Sequence, residues 1–230
     1  MLHGLFITGT GTSVGKTVVA AAVMHRYRSI ATLCYWKPIQ TGIEQDDDTA
    51  VVRGLGACED QELLDDGIRL SGPVSPHLAA ELNQTQIHIP ELLRRIETRP
   101  TNWVIEGAGG VLVPLNESEL MIDFMVQLHL PVLVVSRAEL GTINHTLLTL
   151  EALRVRALRI AGVVMVGVRN SSNRDAIEHY GNIAVLGEMP EVPILTPEAV
   201  ALWPTRSWIH PAAFGVVFNE REIQSVGSRS

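Results

Sequence analysis

Cysteine is nearly absent: among 230 residues only Cys34 and Cys58 occur, far apart and outside any CxxC or Cys/His spacing. That excludes a disulfide framework and a zinc site, and it points to a reducing cytoplasm. Positive charge is scarce as well. Eighteen Lys and Arg face 25 Asp and Glu, a net charge of −7, so no basic surface is offered to nucleic acid or an anionic membrane. No apolar run reaches the roughly 18 residues of a spanning helix. Met1 to Gly9 is apolar but lacks a basic start and a small-residue cleavage site, which argues against a secretory leader. No repeat or low-complexity stretch is present. The small polar tail after Gln224 is expected to fray.

What is there suits one globular domain. With 46% apolar and 19% charged residues, the chain can bury one core, and it is too short for two ordinary domains with linkers. Short, branched apolar runs at Leu5–Thr8, Ala31–Trp36, Trp103–Glu106, Val132–Ser136, Ile160–Val166 and Ala184–Met189 read as buried strands. Helices are expected at Lys16–Tyr27, Asp48–Leu55, Pro90–Thr98, Ile122–Leu128, Asn144–Arg154 and Asn173–Tyr180. The alternation predicts an α/β fold: a doubly wound, mostly parallel sheet with helices on both faces and ligands at the carboxyl ends of the strands. Residues 1–230 are read as a single domain, with Pro197–Phe218 as a covering segment.

The first strand runs into Thr8-Gly9-Thr10-Gly11-Thr12-Ser13-Val14-Gly15-Lys16-Thr17, then into a helix. A glycine-rich turn at a helix N-terminus points several N–H groups at one anion. Lys16 can reach the β- and γ-phosphates, and the Thr17 hydroxyl can bind Mg²⁺. The loop is a variant of the P-loop, because Thr10 stands where the strict pattern has glycine. The dinucleotide fingerprint fails, since Val14 replaces its third glycine.

Mg²⁺ beside phosphates takes one or two carboxylates. Glu106 is expected at a strand end, entering a glycine turn at Gly107-Ala108-Gly109-Gly110. The other source is Asp46-Asp47-Asp48 before a helix. A helix cap accounts for one of those three acids, and the sequence does not choose among them. Lys37, before Pro38 at the end of the second strand, is either a second cation at the phosphates or a solvated surface charge.

These residues resemble the dethiobiotin synthetase family. The likeness runs from about Leu5 to Pro190. It rests on the phosphate loop, Lys37-Pro38-Ile39-Gln40-Thr41-Gly42, Asp47-Asp48-Thr49, Pro73-Val74-Ser75-Pro76-His77, Val104-Ile105-Glu106-Gly107-Ala108-Gly109-Gly110 and Leu140-Gly141-Thr142-Ile143-Asn144-His145. It implies an enzyme of biotin synthesis that converts 7,8-diaminononanoate, CO₂ and ATP into dethiobiotin, ADP and phosphate. It also implies Lys37 and Lys16 as the catalytic cations, and Thr17, Asp48 and Glu106 around Mg²⁺. Nucleotide contacts would come from Ser13, Val14, Gly15, Lys16, Thr17, Val18, Asp48, Glu106, Gly107, Ala108, Gly109, Pro190, Glu191 and Val192. Substrate contacts would come from Thr41 and from Gly141, Thr142, Ile143 and Asn144, the latter four reaching the neighbouring subunit's site in a homodimer. One departure stands out: Val166 occupies the place where many relatives use an Asn to read adenine. Base selectivity is therefore expected to be weak or shifted towards pyrimidine triphosphates.

The competing readings fit less well. A partitioning or positioning ATPase usually has a second lysine near Thr10 to Thr12, and none is present. A corrin amidotransferase needs a glutaminase region for which 230 residues leave no room. A plain nucleotide-binding module leaves the blocks at Lys37 and Gly141 unexplained.

Overall fold

A computed structural model describes residues 2–29, 31–96, 102–191 and 194–207. In chain order the elements are β1 (His3–Gly9), α1 (Lys16–Tyr27), β2 (Leu33–Trp36), β3 (Ile39–Thr41), α2 (Asp48–Leu55), β4 (Leu63–Leu64), β5 (Ile68–Leu70), α3 (Pro76–Leu82), α4 (Ile89–Ile96), β6 (Asn102–Gly110), α5 (Met121–Leu128), β7 (Val132–Arg137), α6 (Thr142–Val155), β8 (Ile160–Val166), α7 (Ser171–Gly181), β9 (Val185–Met189) and α8 (Pro197–Ser207).

Among the described residues seven strands form one sheet in the order β4-β2-β6-β1-β7-β8-β9, and every described pairing in it is parallel. Because side chains alternate along a strand, each strand feeds two cores. Phe6, Trp36, Trp103 and Ile105 face one layer with Ala79, Leu92, Phe124, Leu150 and Ile177 from α3 to α7. Leu5, Ile7, Tyr35 and Val104 face the other, against α1, Val52 of α2, and Val200 and Trp203 of α8. A helix held between a sheet and further helices must be apolar nearly all round, and the Val-Val-Ala-Ala-Ala-Val-Met run of α1 meets that demand. Among the described residues no helix is long and apolar enough to cross a membrane.

β1 lies between β6 and β7, so the loop that leaves its carboxyl end opens at the reversal of strand order, where this architecture binds ligands. Several elements differ from expectation. β6 does not stop at Glu106 but continues to Gly110, with Gly110 opposite Gly9, so Glu106 sits inside a strand. β2 starts at Leu33 rather than Ala31, and α6 starts at Thr142 rather than Asn144. The small parallel pair of β3 and β5 was not anticipated, because three-residue strands carry too little period to read. Pro197–Ser207 of the covering segment is helix α8; the rest of that segment, Thr98, Val192 and the tail after Gln224 lie outside the described residues.

Candidate active site

The phosphate loop leaves β1 with Thr10 N–H donating to the Val135 carbonyl at 2.9 Å. It enters α1 through Gly15, whose φ of 100° lies in the left-handed region. Glycine is needed there twice over, since a Cβ would also lie 3.0 Å from a methyl of Val166. Lys16 folds back so that its Nζ donates to the Gly11 carbonyl at 2.8 Å. On the outer side, Arg137 at the end of β7 donates to the Ser13 carbonyl at 2.6 Å. Nothing in the spacing around Arg137 marked it for this contact.

Beside the loop, four side chains from four separate stretches meet. Thr17 Oγ1 lies 2.8 Å from Asp48 Oδ1 and 3.0 Å from Glu106 Oε1. Lys37 Nζ lies 2.6 Å from Asp48 Oδ2, 2.7 Å from Glu106 Oε1 and 3.2 Å from the Gly107 carbonyl. Tyr35, fully buried on β2, donates its hydroxyl to Glu106 Oε2 at 2.9 Å. The acidic triplet divides its tasks. Asp47 caps α2 by accepting from Ala50 N–H, while Asp48 turns into the site. Buried Gln40 holds this turn from both ends: its amide donates to the Asp46 carbonyl and its oxygen accepts the Asp48 N–H at 3.2 Å. Neither Tyr35 nor Gln40 was singled out from sequence. The period of β2, which puts Tyr35 on the face of Lys37, was the available signal for Tyr35.

Burial disfavours charge on Lys37, but Glu106 and Asp48 outweigh it and raise its pKa above the usual lysine value. Asp48 shows the complement: burial opposes its charge, yet Lys37 and the Thr17 hydroxyl hold its carboxyl below the usual range. Lys16 behaves otherwise. Burial and then Lys37 push it down to about 8, against Glu106 and Asp48. Burial, with Glu106 and Asp48 adding to it, pushes the Tyr35 phenol well up.

A cavity of about 380 Å³ joins these groups, lined by Ser13, Gly15, Lys16, Thr17, Val18, Lys37, Thr41, Asp48, Glu106, Ala108 and Gly109 among others. Val14 instead packs into the core beneath, and Gly107 contributes its carbonyl to Lys37. Gly141 to Asn144 form the cap and first turn of α6 and do not line this cavity. Pro190 and Glu191 lie exposed after β9 and do not line it either. Asn170 is spent as the cap of α7, accepting from Asn173 N–H, so it does not replace the missing Asn at Val166.

The donor set suits Mg²⁺. One hydroxyl proton cannot serve both carboxylate oxygens against Thr17, which leaves oxygen lone pairs converging on one point. Among the described residues no group of three or more His, Cys, Asp or Glu could cage a metal. Two carboxylates and a hydroxyl match an ion that keeps waters and shares phosphate oxygens.

The AAA domain family matches residues 3–199. The chain is 44% identical over 210 residues to the ATP-dependent dethiobiotin synthetase BioD of Paramagnetospirillum magneticum, covering 91% of this chain and 98% of that one. It is 41% identical to the BioD of Brucella melitensis biotype 2 over 84% of this chain and 89% of that one. Among solved structures, a ParA family ATPase from Chlorobium tepidum superposes with a TM-score of 0.55 at 11% identity, covering 88% of this chain and 97% of that one. The cell division ATPase MinD of Pyrococcus furiosus gives 0.53 at 16%, covering 98% and 100%. At such identity these two share the fold alone.

Proposed function

The chain belongs to the dethiobiotin synthetase family, and we propose that it carries out the family's ATP-dependent ring closure in the cavity between the phosphate loop and Lys37. The observation that carries this reading is the meeting of Lys37, Asp48, Glu106 and Thr17 beside Lys16.

The chemistry follows from charge. One amine of 7,8-diaminononanoate adds to CO₂ and loses a proton, giving a carbamate, whose negative charge makes it a poor electrophile. A carbamate oxygen attacks the γ-phosphorus of ATP, ADP leaves, and a carbamic-phosphoric anhydride results. The second amine attacks the anhydride carbon, the C–O bond to phosphate breaks, and the ring closes with loss of a proton. One molecule carries both amines, so holding it still makes the closure intramolecular. Lys16 and Lys37 stabilise negative charge spreading over the transferred group. Thr17, Asp48 and Glu106 would hold Mg²⁺, which when bound neutralises phosphate charge. Thr41, on the cavity wall, would meet the amine end.

The helix start at Gly141, Thr142, Ile143 and Asn144 would receive the substrate carboxylate in the partner subunit of a homodimer, an anion at a positive helix end. It would do so through N–H groups other than that of Thr142, which donates to the Glu139 carbonyl at 3.1 Å. Exposed Leu140, together with Leu148 and Val155 seven residues apart on one face of α6, supports a covered surface there. The scarcity of cysteine, with Cys34 and Cys58 far apart in the chain, supports a reducing cytoplasm. Pro190, Glu191 and Val192 remain the candidates for base contact. One catalytic domain suffices for this chemistry, and the seven-stranded sheet formed among the described residues supports that assignment.

The test is phosphate release with and without the diamine and bicarbonate, with dethiobiotin followed by mass spectrometry. Release that requires both co-substrates and matches product is expected. Release indifferent to the diamine would overturn the reading in favour of a positioning ATPase.

A further inference from the structure

We infer that Tyr35 is a positioning residue whose phenol fixes which oxygen of Glu106 faces the metal; this rests on the reading of Glu106 as a metal-holding group. Tyr35 pairs with Val104 in the β2–β6 register, and the alternation of side chains puts Tyr35, Lys37 and Glu106 on one face of the sheet. The two oxygens of Glu106 therefore have different neighbours. Oε2 takes the Tyr35 hydroxyl at 2.9 Å, and Oε1 takes Lys37 at 2.7 Å and lies 3.0 Å from Thr17. Only Oε1 shares the Thr17 hydroxyl with Asp48 Oδ1, so only Oε1 belongs to the group that can surround an ion.

The choice of a phenol matters chemically. A neutral donor satisfies Oε2 without adding a second positive charge to that of Lys37 at Oε1, so one ammonium rather than two weakens the carboxylate's attraction for an ion. A lysine in that place would compete with the ion. A phenylalanine would leave Oε2 in the interior without a donor, since Glu106 is 1% exposed and Tyr35 is fully buried. The carboxylate would then turn to share its nearest donors, Lys37 and Thr17, between both oxygens. Mg²⁺ demands near-ideal octahedral geometry, so such a rotation spoils the site. Groups that orient a metal-holding carboxylate are typically worth about 10- to 100-fold in metal affinity.

The experiment compares wild type, Tyr35→Phe and Glu106→Gln. Mn²⁺ binding to the ADP complex is followed by electron paramagnetic resonance, and ADP binding is measured separately in EDTA. For Tyr35→Phe we expect Mn²⁺ affinity to fall about 10- to 100-fold while metal-free ADP affinity stays within about twofold, with an altered Mn²⁺ spectrum. Unchanged Mn²⁺ affinity overturns the role, and so does an equal loss of Mn²⁺ and metal-free ADP binding, which would mark Tyr35 as packing only. If Glu106→Gln itself keeps wild-type Mn²⁺ affinity, the premise falls and this inference falls with it.

Discussion

Lys37 Nζ lies 2.7 Å from Glu106 Oε1, and the two side chains are only 4% and 1% exposed. A buried cation thus compensates the acids assigned to the metal. Lys37→Ala removes it and leaves two carboxylates without their counter-charge, which typically costs about 3–5 kcal/mol. The variant should fold less stably without metal and regain more from Mg²⁺ with ADP than wild type does, because the ion replaces the lost charge. Turnover should still fall about 10²–10³-fold, since Mg²⁺ does not replace the ammonium that follows the transferred group. Thermal melts with and without Mg²⁺-ADP, beside steady-state rates, check both halves; a wild-type rate would remove Lys37 from the mechanism.

Lys16 should make nucleotide binding depend on pH. Burial, then Lys37, lowers its pKa to about 8, and a bound polyphosphate would raise it again. Well below pH 8 the amine is already charged and binding takes up no proton through it. Above pH 8 the amine must gain a proton on binding, so affinity should fall by up to about tenfold per pH unit. Calorimetry of ADP binding at pH 7 and 9, in buffers of different ionisation enthalpy, should show uptake only at the higher pH. In Lys16→Arg, always protonated, that uptake should vanish.

Val166 packs against Gly15 at the base of the phosphate loop, and an apolar group there cannot pair with a base edge. Wild type should therefore use ATP, CTP and GTP at rates within about tenfold, since one lost bidentate contact is worth about 1–3 kcal/mol. Val166→Asn should shift kcat/KM towards ATP. An ATP-only wild type would show that another group reads the base.

How much of this was legible in advance depended on whether the signal was local. The loop from Gly9 to Thr17 announced itself, because its phosphate chemistry depends on consecutive backbone groups. The sheet's core strands were visible because burial on both faces leaves continuous apolar runs. The extension of β6 through Gly107–Gly110 was not, since glycine reads as a turn while its pairing with Gly9 depends on a strand about 100 residues away. Tyr35, Gln40 and Arg137 were missed for a related reason. Tyr35 and Arg137 reach partners 71 and 124 residues away in the chain, while Gln40 bonds only to backbone groups of a nearby turn, which any residue type could supply.

The acidic triplet shows the same limit and offers the sharpest test. Three adjacent carboxylates look alike in sequence, yet only Asp48 reaches Lys37 and Thr17, while Asp47 accepts from Ala50 N–H at the start of α2. Asp47→Ala should thus cost about 0.5–2 kcal/mol through the lost cap and leave kcat within about twofold, because no group at the phosphates is touched. Asp48→Ala should instead raise the Mg²⁺ concentration for half-maximal rate by at least about tenfold. Asp48 also contributes stability above the ordinary aspartate pKa that is lost as pH falls through its lowered folded value, so acid unfolding should begin from a less stable state in this variant. Denaturant melts at pH 7 and at about pH 3, below the ordinary aspartate value, beside Mg²⁺ titrations separate the two neighbours. Equal Mg²⁺ dependence in both variants would mean that Asp48 does not hold the ion.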